Sequence, residues 1–158
     1  MEKINSIYKK LIESDEYKQS TKSVNYLYLA FALFEEKQSS LNFIFFQKAG
    51  FISRIFVVDN GIKAGKEEIL EKEPEILDIK KVKIELKDAL ETAEKVKEES
   101  KKKDIFLRTM AILETNNKKP RWNITFFSMS FNTLNVRIDA ATGDILEQSY
   151  EPLFRWEK

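Results

Sequence analysis

The chain reads as one plan written twice. Residues 79 positions apart agree in kind along the 158-residue sequence: Ile7 with Leu86, Leu11 with Leu90, Leu27 with Phe106, Ala32 with Ala111, Leu33 with Ile112, Glu35 with Glu114 and Phe43 with Trp122. Each half then runs to a strand-like segment closed by a turn, "RIFVVDNG" ending at Gly61 and "NVRIDAATG" ending at Gly143, so the spacing has grown to 82 there. Such a period is too long for a stacked solenoid unit. It predicts two tandem copies of a small domain: 1–65, a linker with a short helix over 66–80, a second copy over 81–150, and an aromatic tail at 151–158.

Hydrophobic spacing fills in the elements. Ile4, Ile7, Tyr8, Leu11 and Ile12 make one face of a helix over about residues 3–19. The aromatic and β-branched runs 24–36, 41–50 and 51–61 read as strands, with a hairpin at Lys48-Ala49-Gly50 and a turn at Asp59–Gly61, where Asn and Gly accept positive φ. "GKEEILEKEPEILD" predicts a short helix that stops near Pro74, and Val82–Ile84 a short extended piece. Leu86, Ala89, Leu90, Ala93 and Val96 form the inner face of a second helix over 86–101. Lys101-Lys102-Lys103 ends it, where positive charge suits the helix dipole; the alternative is a phosphate- or nucleic-acid-binding patch. Strands recur at 104–115, 121–131 and 133–140. Each half is then a helix on a three- to four-stranded antiparallel sheet, an α+β arrangement.

Composition removes several chemistries. There is neither Cys nor His, so disulfides, thiolate catalysis, Ser-His-Asp sites and the commonest zinc ligands are unavailable to this chain alone. Glu67/Glu68 and Glu98/Glu99 are sequence neighbours, which do not share a helix face, and no glycine-rich phosphate loop is present. The expectation is therefore no enzyme, no cofactor and no metal. Twenty-seven Lys and Arg against 26 Asp and Glu give no general case for nucleic acid. No run is long enough for a membrane span, and the start lacks an apolar signal core. As written the chain is expected in the cytoplasm, or outside it if a leader was removed.

The halves differ in one informative way. A sheet with one wet face should alternate apolar and polar residues. Arg108, Asn123 and Thr125 do so in the second half, yet their counterparts are Leu29, Ile44 and Phe46. That second apolar face of the first half should be inaccessible to water. Its candidate covers are the other repeat, a second copy of the chain, or an apolar ligand or peptide. The tail "YEPLFRWEK" carries Phe154 and Trp156, which are expected to dock back over this face or to meet a partner. Leu29, Ile44, Phe46, Phe154 and Trp156 are the candidate interaction surface. In the Asp139–Gly143 loop only Asp139 and Asp144 are acidic, so a hairpin turn is expected rather than a metal loop. Trp122, after Pro120 at a strand start, reads as a core anchor.

The second half also resembles a known family. Ala89 and Ala93 on the helix, Trp122 opening a strand, and Val136, Ile138, Asp139, Ala140, Thr142, Gly143 and Ile145 in "NVRIDAATGDILE" are similar to a PepSY domain over about 84–147. The first half resembles a degenerate copy, with Phe43 for the Trp and "DNG" for "DAATG". The resemblance implies a PepSY or cystatin-like fold and a non-catalytic binding or regulatory protein. It further implies a protein partner, with a peptidase that is inhibited or modulated as the leading class. A small apolar-ligand carrier with a pocket between helix and sheet is the alternative, and a homodimer is a further candidate assembly.

Overall fold

The computed structural model describes residues 2–21, 23–35, 38–100 and 103–154, with the side chains of residues 38 and 39 excluded. Helices α1 (Ile4–Glu13) and α2 (Asp15–Ser20) precede strands β1 (Asn25–Glu35), β2 (Gln38–Gln47), β3 (Ile52–Val58) and β4 (Ile62–Ile69). A 3-10 turn at Ile79–Lys81 leads into α3 (Leu86–Glu99). Strands β5 (Phe106–Asn116), β6 (Lys119–Ser128), β7 (Asn132–Asp139) and β8 (Ile145–Pro152) follow. All eight strands join one antiparallel sheet in the order β4-β3-β2-β1-β5-β6-β7-β8. Read outward from the β1–β5 seam, each half contributes its strands in chain order. Ala32 lies directly opposite Ala111 at that seam, and the two are 79 residues apart.

One face of this sheet carries the helices. Ile4 and Leu11 of α1 and Leu86, Ala89, Ala93 and Val96 of α3 pack with Ala30, Ala32, Phe43, Phe45, Phe56, Ala111, Leu113, Trp122, Ile124 and Phe126 in a single core. Small residues at Ala89 and Ala93, fully buried, bring the α3 backbone close to the strands. Trp122 is also fully buried, and its indole N–H donates to the Ile84 carbonyl (2.8 Å), so it anchors the core as expected. The N-termini of α1 and α3 meet. Lys3 provides no side-chain cap, and the Ile4 N–H donates instead to Glu85 Oε2 (2.9 Å), 81 residues away.

Several local expectations need correction. The first helix breaks at Ser14, whose ψ of 153° leaves the helical region and whose Oγ accepts from Tyr17 N–H (3.2 Å) to cap α2. Residues 66–69 do not open a helix. They complete β4, where Glu67 pairs with Arg54 across the sheet and gains an ion pair (2.8 Å). Each half therefore has four strands. Val82 is extended as expected (φ −80°, ψ 111°), and Lys83 and Ile84 N–H both donate to the Ala140 carbonyl. The Asp59–Gly61 turn uses no positive φ, whereas Gly50 (+84°) and Gly143 (+87°) do. The 139–143 loop is a turn held by its own side chain, since Asp139 Oδ1 accepts from Ala141 and Thr142 N–H.

Candidate functional site

The face of the sheet opposite the helices is the most unusual surface of the molecule. Pairing in register places Leu29 beside Ile44, Phe31 beside Asn42 and Ile112, Leu33 beside Met110, and Ile44 beside Ile55. Leu29, Phe31, Leu33, Ile44, Ile55, Val57, Met110 and Ile112 are all half-buried, screened by their neighbours in the sheet. The helices lie on the other side, against the one core. Leu29 and Ile44 thus keep partial access to water in the single chain, and the other repeat does not supply their cover. The sheet is a single layer here, and among the described residues no helix or strand lies over it.

Phe46 has a different environment. It is fully buried, with Phe51 of the β2–β3 turn packed edge-on against it (centroids 5.5 Å apart). Tyr28, the extra residue of a bulge in β1, donates or accepts a hydrogen bond with Ser53 Oγ (2.8 Å) on β3. With adjacent strands about 4.8 Å apart, that bond requires the tyrosine to lie across β2. Two aromatic side chains therefore roof Phe46 locally and leave the Leu29–Ile44 region open.

The same face of the second half is polar and mostly paired within itself, Arg137 Nε being buried without a hydrogen-bond partner. Asn135 donates to Asn123 and to Thr125 Oγ1 (2.7 Å), Arg137 pairs with Glu147 (2.6 Å), and Arg121 pairs with Glu114 (3.1 Å). Arg108 pairs with Glu35 (2.9 Å) at the seam. The apolar surface is thereby bounded on one side by hydrogen-bonded and ion-paired groups, which is how an apolar interface core with a polar rim is built.

The described part of the tail, through Phe154, does not dock on this face. Leu153 N–H donates to the Phe131 carbonyl (2.7 Å), and Phe154 packs on Phe131 (6.1 Å) at the far end of the second half. Phe154 is 65% exposed. Trp156 lies outside the described residues. Of the five predicted surface residues, the structure brings together Leu29, Ile44 and Phe46 and separates Phe154 from them. Sequence reasoning missed Phe31, Leu33, Ile55 and Val57; their alternation with Ala30, Ala32, Phe56 and Val58 was the available signal.

A second feature is a cleft of about 770 Å³ where the N-termini of α1 and α3 approach the ends of β1, β2 and β3. Ile4, Ile7, Phe34, Leu41, Val58 and Leu86 supply apolar walls, and Glu2, Glu35, Asp59 and Glu85 supply carboxylates. Glu35 and Glu85 are already engaged with Arg108 and the Ile4 N–H.

The most perturbed carboxylate lies elsewhere. Asp104 precedes β5 and accepts hydrogen bonds from Ser130 (2.6 Å), from the Tyr150 hydroxyl and from the Ile105 N–H (3.1 Å). These donors, Ser130 first, hold its carboxyl down to about 2, and the hydrogen bond to Asp104 favours the protonated phenol and pushes Tyr150 up. The group ties β5, the β6–β7 turn and β8 together.

Residues 83–149 match the PepSY family, described as peptidase propeptide and YPEB domain. The matched segment runs from the residues before α3 into β8. A search of curated proteins finds no match. Among solved structures the chain is similar to one titled "putative lipoprotein" from Clostridium difficile 630, with 16% identity, a TM-score of 0.61, and coverage of 93% of this chain and 90% of that one. That likeness concerns the fold of the whole chain. The comparisons lend no support to the cytoplasmic expectation. No helix among the described residues is long and apolar enough to cross a membrane.

Proposed function

We propose that the chain is a non-catalytic, PepSY-type binding protein that docks a protein partner on the open apolar face of its first-half sheet. The observation that carries this is the half-buried patch around Leu29, Phe31 and Ile44. Eight large side chains share one face, and each would gain about 1 kcal/mol or more from further burial. Contiguous patches of this kind mark interaction sites on soluble domains. The PepSY match supports a peptidase as the partner class, bound by occlusion of its surface. The lipoprotein title of the structural relative supports a location outside the cytoplasm.

We also read the halves as two copies of one unit, the first ending with β4 and the second beginning near α3. Phe51 and Phe131 support this, since each ends a hairpin turn at positive φ and each offers its carbonyl to the residue after or near the end of the fourth strand, Leu70 or Leu153.

Ile44→Asp tests the docking face, because it places a charge in the middle of the patch without opening the core. The variant should keep the wild-type circular dichroism spectrum and lose a peptidase that the wild-type chain captures and inhibits. Equal capture and inhibition by the folded variant would sink the reading. The second reading is a carrier whose apolar ligand occupies the 770 Å³ cleft. It predicts a small molecule released on denaturation of the purified chain and absent from Leu41→Glu, with Ile44→Asp unaffected.

A further inference from the structure

The first half ends in a strand whose outer edge is open. β4 (Ile62–Ile69) is the last strand on its side of the sheet, and every residue in it except Ile62 is exposed. Gly65 and Lys66 both lie opposite Ile55, which makes a bulge in the register. Two hydrogen bonds fix which main-chain groups point outward. Asp59 N–H donates to the Gly61 carbonyl (3.0 Å), and Leu70 N–H donates to the Phe51 carbonyl (2.8 Å). Hydrogen-bonded pairs recur at every second residue of an antiparallel ladder, so Lys63 and Glu68 turn their main-chain groups towards β3. Ile62, Ala64, Glu67 and Ile69 turn theirs away from the sheet. The bulge also returns Ile62 and Ile69 to one side. They lie opposite Val58 and Ile52, which share the helix side with Phe56. Lys63 and Glu68 lie opposite Val57 and Ser53, on the open side.

We propose that β4 pairs with β4 of a second copy of this chain, antiparallel about a two-fold axis between Gly65 and Lys66. In that register Ile62 faces Ile69 of the second copy, Lys63 faces its Glu68, Ala64 its Glu67 and Gly65 its Lys66. It is the one antiparallel register in which all four outward residues meet outward residues, and it allows about eight main-chain hydrogen bonds. The side chains agree with it. Ile69, 82% exposed, gains an apolar neighbour on the helix side. On the open side Lys63 and Glu68 form two cross-strand ion pairs related by the axis. Among the described residues neither has an ion-pair partner within its own chain. The opposite edge of the sheet lacks this complementarity. β8 (Ile145–Pro152) carries Glu147 and Glu151 without Lys or Arg, and Pro152 has no N–H to donate. Two-fold pairing through β4 closes on itself and covers the open edge. One sheet then runs through both copies, with the helices on one side and both apolar docking faces on the other. The pairing is independent of what docks on those faces.

The test is sedimentation equilibrium of the full chain from low to high micromolar concentration. Wild type should move from one copy towards two and go no further. Lys63→Glu and Glu68→Lys, each alone, oppose like charges at both ion-pair positions and should weaken association about tenfold. Both positions are exposed, so each variant should keep the wild-type circular dichroism spectrum. An equal mixture of the two variants should associate at least as well as wild type, because the acids of one chain then face the lysines of the other. Damage to the fold would not be undone by mixing. Ile44→Asp, on the docking face, should leave the association unchanged. A wild-type chain that stays single at every concentration overturns the proposal. So does either charge variant that associates alone like wild type, or a mixture no stronger than its parts. Association lost in Ile44→Asp but kept in the charge variants would place the contact on the docking face, and growth beyond two copies would bring in β8; both overturn it.

Discussion

Asp104 shows how one residue can serve a whole edge of the sheet. Its carboxylate collects hydroxyls from the β6–β7 turn and from β8, and those donors favour the ionised form. The folded value near 2 is below the ordinary carboxylate value of about 4. A depressed folded value means that the ionised network stabilises the fold fully above about pH 4. That contribution disappears as pH falls through 2. Urea midpoints should therefore show wild type ahead of Asp104→Asn at pH 6, with the gap closing between about pH 4 and pH 2. A gap that is constant across that range would mean that the charge has no part in it. Nothing in the sequence marks this residue. The bonds join Asp104 to Ser130 and Tyr150, and only pairing of strands brings those together. Trp122 was legible because a large aromatic at a strand start has few places to go other than the core, and the indole N–H finds the Ile84 carbonyl there.

Among the elements, the helices and strands most readable in the sequence were those with a clean apolar period. The inner residues of α3 and the alternation in β6 and β7 gave their faces correctly. The first helix was read as continuous because Ile4, Ile7, Leu11 and Ile12 hide a break at Ser14, where a side-chain cap competes with the helical bond. The stretch 65–78 was read as containing a short helix that stops near Pro74, but its first residues pair with β3 as the end of β4. Gly65 makes that pairing possible: a Cβ there would lie 2.5 Å from Ile55 Cγ2, on a stiff β-branched side chain. Gly65→Ala should destabilise the chain by about 1–3 kcal/mol in chemical denaturation, as expected for overpacking. No loss would show that β4 shifts freely. The long-range cap on α1 is a further element-scale feature that no local pattern announces. Glu85→Ala removes the acceptor of the Ile4 N–H and should cost about 1 kcal/mol, while Glu85→Gln keeps an acceptor and should cost less. Equal losses in the two variants would argue against a capping role.

On the scale of the whole molecule, the 79-residue offset reappears at the β1–β5 seam, where Ala32 lies opposite Ala111, and the comparison of Leu29, Ile44 and Phe46 with Arg108, Asn123 and Thr125 pointed to the apolar face. It did not foretell how the halves join. A sequence contains the alternation of each strand but not which strand of one half meets which of the other. The β1–β5 seam merges the strands of both halves into one sheet, with the helices on the same side. That merger is why the extra apolar face is left open among the described residues: neither half folds over the other, and Phe154 is held at Phe131. A single-layered sheet with helices on one face and large aliphatic and aromatic groups on the other has one surface still to bury.

The chain contains no cysteine, so one introduced thiol reports one place. Maleimide labelling of Ile44→Cys in the dilute chain, with and without the captured protein partner, tests the open face most directly. Phe46→Cys, beneath Phe51 and fully buried, is the closed reference. Ile44→Cys should react quickly when free, and far more slowly in the complex, while Phe46→Cys stays unreactive in both. An Ile44→Cys thiol as inert as Phe46→Cys in the free monomer would mean that the chain covers its own face. One that reacts equally fast in the complex would mean that the partner binds somewhere else.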